Sequence, residues 1–202
     1  SVLLICVLSV SAQNEKAISA QSTYKAQIDK ISSDKKVQMA FEIIKQLEPT
    51  TMKELIELTE IPAPPFMEQK RAERFMQMLK NAGIDSIWTD EVGNVLALRK
   101  GKGNGKTVLI EGHLDTVFPM DTDVKVKMKG DTLFAPGIAD DTRALSVVLT
   151  VVKAMNQAKI STESDILFAG TVGEEGLGDL RGIKHIFKSG NQKIDSHIAL
   201  DG

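Results

Sequence analysis

From Ile84 onward, short β-rich runs alternate with segments of helical period, and that alternation leaves few architectures open to the chain. Runs at 84–88, 94–98 and 107–110 are separated by Gly and Asn turn residues. Residues 124–134 read as a hairpin turning at Gly130-Asp131. A helix is expected over 143–158, a strand over 165–171, a helix over 180–188 and a strand over 197–200. Strand, helix, strand, helix, strand predicts an α/β fold, in which ligands gather at the carboxyl ends of the strands.

Upstream, the pattern is helical. Residues 13–34, rich in Gln, Ser, Lys and Ala, read as a polar leader, and 35–47 place Val37, Phe41, Ile44 and Leu47 at helical spacing. That helix is expected to end before Pro49, a second to cover 50–59, and a third to run over 68–81 and stop at Ala82-Gly83. Pro62-Ala63-Pro64-Pro65 separates the last two, because proline removes a backbone donor and restricts its neighbour.

The apolar opening run Val2 to Val10 is too short to cross a bilayer, so it offers no stable membrane anchor. Val10-Ser11-Ala12 before Gln13 has the form a signal peptidase accepts. Residues 1–12 therefore read as a signal-peptide remnant, and the protein as exported, periplasmic or extracellular. The single cysteine, Cys6, would leave with the signal, so any metal must sit on His, Asp and Glu. A net charge of -2 and 4% aromatic residues supply neither the basic field nor the stacking platform that a nucleic-acid partner needs.

Acidic and histidine clusters fall just after the expected strands: Gly112-His113-Leu114-Asp115, Asp140-Asp141, Glu174-Glu175 and Asp201. Each alone has an ordinary explanation. His113 and Asp115 could be a loop histidine and a helix cap, Asp140 or Asp141 could cap the following helix, and Glu174-Glu175 could be a solvated acidic turn. If the core strands are parallel, however, their ends meet at one sheet edge, and so much negative charge there requires cations. Imidazole and carboxylates without thiolate suit Zn, Mn or Co; the histidine argues against calcium. His113 and Asp115, two apart in an extended segment, would share a face, so that the carboxylate can orient the ring. One carboxylate of Glu174-Glu175 can bind metal while the other serves as general base.

Taken in order, Gly112-His113-Leu114-Asp115-Thr116-Val117, Ala135-Pro136-Gly137-Ile138-Ala139-Asp140-Asp141-Thr142-Arg143, Gly173-Glu174-Glu175-Gly176 and Ala199-Leu200-Asp201-Gly202 resemble the M20 family of di-zinc metallopeptidases. The Asp-Asp pair looks most like the peptidase T branch. The resemblance runs from about Thr50 to the end of the chain. It implies a zinc-peptidase-like mixed sheet with flanking helices, truncated before the lid or dimerisation domain. Residues 13–49 would be a leader and helix, and 50–202 the N-terminal part of the catalytic domain.

The resemblance also implies two Zn2+ ions, with Mn2+ or Co2+ as alternatives. His113 would ligate one metal, Asp115 orient it, Asp140 bridge the two, Glu175 ligate the other and Asp201 complete the His113 side. Glu174 would be the general base in cleavage of small-peptide amide bonds, making the protein a di- or tripeptide exopeptidase. The alternatives are an N-acyl amino acid deacylase or an inactive fragment that only binds metal. Two departures stand out. Ala144 occupies a position that is commonly Gly in the family, and neither the lid domain nor the final His ligand of the Glu175-side metal is found. His185 and His197 read as ordinary surface or half-buried residues, and a family-type homodimer would need the missing domain.

Overall fold

The apolar runs assemble into one five-stranded sheet in the computed structural model, which describes residues 24–103 and 105–202. In chain order the elements are α1 (Lys35–Thr59), α2 (Gln69–Asn81), β1 (Ser86–Thr89), β2 (Val95–Arg99), β3 (Thr107–His113), β4 (Lys127–Lys129), β5 (Thr132–Phe134), α3 (Thr142–Gln157), β6 (Asp165–Thr171), a 3-10 turn (Gly176–Gly178), α4 (Arg181–Lys188) and β7 (Ser196–Ala199). The sheet order is β1-β2-β6-β3-β7, and β4 pairs with β5 as a separate hairpin. The expected signal remnant at 1–12 lies outside the described residues. Among those described, no helix is long and apolar enough to cross a membrane.

β3 is parallel to β6, in register from Thr107 opposite Asp165 to His113 opposite Thr171, and parallel to β7 on its other side. β2 runs antiparallel to both β1 and β6, so the sheet is mixed. The central strands are apolar on both faces because both are covered. Along β6, Ile166 and Phe168 point into the core under α1, α2 and α3, with Leu58, Phe75, Leu79, Leu145 and Leu149. Leu167 and Ala169 point the other way, toward Ile186 of α4, with Leu96 and Leu109. This is the period-two alternation of a strand buried on both sides.

Two expectations about the amino-terminal helices need correction. Residues 24–32 are helical where a polar leader is expected, and α1 runs unbroken through Pro49 instead of ending before it. A proline inside a helix costs roughly 3 kcal/mol. Here it is exposed, so the carbonyl it leaves unpaired is on the solvent side, and the following turns are pinned to α3. Thr51 shares a 2.7 Å hydroxyl contact with Thr150 and Thr59 another with Thr142, Glu54 pairs with Lys153, and Leu55 and Leu58 are buried. Tertiary packing overrides the local break.

Candidate metal centre

Parallel pairing brings the carboxyl ends of β3, β6 and β7 to one edge, and the chemically loaded residues follow those ends directly. His113 is the last residue of β3 and is 3% exposed. Its Nε2 lies 2.9 Å from Asp140 Oδ1 and 4.0 Å from Asp201 Oδ1. Its Nδ1 faces the backbone carbonyl of Asp115 at 3.0 Å, with the Asp115 carboxylate at 3.6 Å. That carboxylate, fully buried, instead accepts from the backbone N–H groups of Glu174 (2.9 Å) and Glu175 (3.0 Å). Asp115 therefore touches the histidine ring through its carbonyl and ties the turn after β6 to the turn after β3.

The structure thus brings His113, Asp115, Asp140, Glu174, Glu175 and Asp201 together. Two sets of side chains present ligand atoms within 4.8 Å of one another and could each hold a metal ion: His113 with Glu174 and Glu175, and His113 with Asp140 and Asp201. His185 instead meets Glu91 at 2.9 Å and His197 meets Glu111 at 3.2 Å, so neither joins the cluster.

Two contributors take roles that the sequence does not signal. Asp141, at the N-cap position of α3, makes no side-chain capping bond. Its buried carboxylate accepts the His113 N–H at 2.8 Å through Oδ2, while Oδ1 has no hydrogen-bond partner. Arg71 is completely buried and donates to the carbonyls of Ile61 and Leu114, which fixes the peptide between His113 and Asp115. Its trace in the sequence is a charge on the apolar stripe of α2, which continues with Phe75 and Met78. Beside the cluster opens a cavity of about 240 Å³ lined by Glu111, His113, Thr171, Glu174, His197 and Asp201 among others. The Ala144 departure is accommodated across β3. A Cβ on Gly112 would come within 2.8 Å of both the Ala144 Cβ and Asp141 Oδ2, so the absence of a side chain at 112 makes room for the one at 144.

The charge distribution calls for a cation. Burial alone would lower the His113 pKa, but the hydrogen bond to Asp115 and the charges of Asp141, Asp115 and Asp140 lift it to about 9. Burial, aided by the charges of Asp201 and Asp140, raises Asp141 to about 7 against the opposing effect of His113. Glu174 and Glu175 are also raised, first by burial and then by their acidic neighbours, with His113 opposing. Asp115 goes the other way: burial is outweighed by the nearby His113 ring and by the two amides it accepts. Positive charge at this position, on the imidazole or on a bound cation, offsets the repulsion among the carboxylates. Oxygen donors around one imidazole, including a buried oxygen with no donor, are the surroundings that a zinc-type divalent ion fits.

A model of the peptidase family M20/M25/M40 matches residues 109–201, which span β3 to the end of the cluster. Over those residues the chain is similar to the M20 family. A protein of Pyrococcus abyssi assigned as a LysW-lysine/LysW-ornithine hydrolase is 33% identical over 126 residues, which is 62% of this chain and 34% of the relative. Succinyl-diaminopimelate desuccinylase of Corynebacterium glutamicum is 23% identical over 145 residues, 72% of this chain and 39% of the enzyme. The chain thus spans little more than a third of the length of these M20 relatives. The fold is similar to that of the di-peptidase Dug1p of Saccharomyces cerevisiae, with a TM-score of 0.67 at 19% identity over 82% of this chain and 41% of that one.

Proposed function

We propose that the protein is a metal-dependent hydrolase that cleaves amide bonds in small peptides, as a di- or tripeptide exopeptidase with a two-zinc centre. The observation that carries this reading is the meeting of His113, at the end of β3, with carboxylates that follow the parallel strands β6 and β7 and with Asp140 ahead of α3. Asp140 and Asp201 sit on the Nε2 side of the ring, and Glu174 and Glu175 follow β6. His113, Asp140 and Asp201 would hold one ion, and Asp140 and Glu175 the other. When bound, such ions polarise the scissile carbonyl and acidify the attacking water.

The chain's own residues supply the rest. Asp115 keeps the His113 ring aimed and the Glu174 and Glu175 backbone fixed. Glu174 is left to take the proton from water and deliver it to the amine nitrogen as the C–N bond breaks, and its raised pKa favours that exchange. The cavity of about 240 Å³ suits a small substrate. Similarity to a desuccinylase favours a second reading, hydrolysis of N-acyl amino acids.

Side-by-side assay of a tripeptide and an N-succinyl amino acid, using the whole protein with zinc, separates the two. The expected result is tripeptide turnover that falls by a factor of about 10²–10⁴ in Glu174→Gln. Turnover of the acyl amino acid alone would select the second reading, and no turnover of either would overturn both.

A further inference from the structure

We infer that Glu68 and Arg181, far apart in sequence, form a latch that positions the Glu174-Glu175 turn. This rests on the reading of those two glutamates as site carboxylates. The Arg181 guanidinium binds the Glu68 carboxylate through two parallel bonds, Nη1 to Oε1 at 2.9 Å and Nη2 to Oε2 at 3.0 Å. Glu68 is 2% exposed, and its Oε1 also accepts the Phe66 N–H at 3.0 Å. The Phe66 ring closes over the guanidinium, 4.6 Å from its centroid to Arg181 Cζ.

The latch bears directly on the turn. Any Cβ on Gly173 would overlap the Arg181 guanidinium, so the arginine lies flat against the residue preceding Glu174. Gly173 also has a φ of +61°, which disfavours a side chain independently. The Arg181 N–H donates to the Gly173 carbonyl at 3.1 Å and the Gly182 N–H to the Val172 carbonyl at 2.9 Å, so α4 begins against the same strand end. The turn is thus held from both sides, by Asp115 on its amides and by Arg181 on Gly173.

A buried ion pair contributes little net stability, because desolvation offsets the attraction between its charges. What a planar, bidentate pair supplies is geometry, which a site needing carboxylates held to a fraction of an ångström can use. Glu68 follows the proline segment and precedes α2, the helix that carries Arg71. Arg71 fixes the peptide between His113 and Asp115, so the same short stretch of chain supports both halves of the cluster.

The test uses Glu68→Gln, Arg181→Lys and the double variant Glu68→Gln/Arg181→Met, which leaves no unpaired buried charge. Amide hydrogen exchange of residues 172–180 is followed in the metal-free protein, and Co2+ affinity is measured by calorimetry. The latch predicts exchange across the turn at least about tenfold faster, with β3 and β6 unchanged, and Co2+ affinity lower by about 10–100-fold. Arg181→Lys should fall between wild type and the double variant. Unchanged protection of the turn, or loss of protection across the whole sheet, would overturn the latch. If the wild type binds no Co2+ yet the turn loosens, the latch stands and the metal reading fails. If the wild type binds Co2+ but the double variant keeps both affinity and protection, the latch alone fails.

Discussion

Asp115 carries the most connections in the cluster for its size. Its carbonyl faces the His113 ring and its two carboxylate oxygens take the amides of Glu174 and Glu175. Asn in its place keeps the shape but retains a single acceptor oxygen, so one amide must lose its partner. Asp115→Asn is expected to lower zinc affinity by about 10–100-fold, measured by competition with a chromogenic chelator. The raised pKa values of His113, about 9, and Asp141, about 7, set a pH dependence for the metal-free protein. Both groups hold protons more tightly in the folded chain than in the unfolded one. The contribution of these two groups to stability is then full below the ordinary carboxylate range, declines as Asp141 ionises toward pH 7 and falls again as His113 loses its proton toward pH 9. Thermal melts with chelator should show a lower Tm near pH 9 than near pH 6, and saturating zinc should remove that difference, because the ions replace the protons. A Tm in chelator that rises with pH would contradict this electrostatic account.

At the scale of elements, packing on α3 explains why α1 continues through Pro49. Since the ring removes a helical hydrogen bond and the site is exposed, Pro49→Ala is expected to stabilise the protein by about 1–3 kcal/mol in urea unfolding. A chain with two helices broken at that point would gain almost nothing. In the sheet, Phe168 is fully buried under the helices. Phe168→Ala is expected to cost about 3–5 kcal/mol, more than a change on any exposed helix face. The strands that place the site were legible because their runs are short, apolar and punctuated by Gly and Asn, and the structure has β6 at the expected 165–171. The continuity of α1 and the helix at 24–32 were not legible, since the first depends on contacts with a helix about a hundred residues away.

For the molecule as a whole, the parallel arrangement of β3, β6 and β7 makes a site from residues spread between His113 and Asp201. The side chains at the strand ends could be named from the sequence, because histidine and paired acids after apolar strands are unusual in combination. Their supports could not. Arg71, Glu68 and Arg181 look like surface charges in a linear reading, and only the fold shows two of them buried and the third flat against Gly173. Asp141 is a comparable case, placed where a cap belongs but turned to the β3 backbone. The central claim is that these strand ends form one two-ion centre. Zinc stoichiometry by elemental analysis of the whole protein, beside its Asp140→Asn variant, tests it most directly. The account predicts near two ions per chain in the wild type and a marked loss in the variant, because Asp140 is the carboxylate that both ions would share in the proposed centre. A wild type without bound zinc, or a variant that retains both ions, would contradict it.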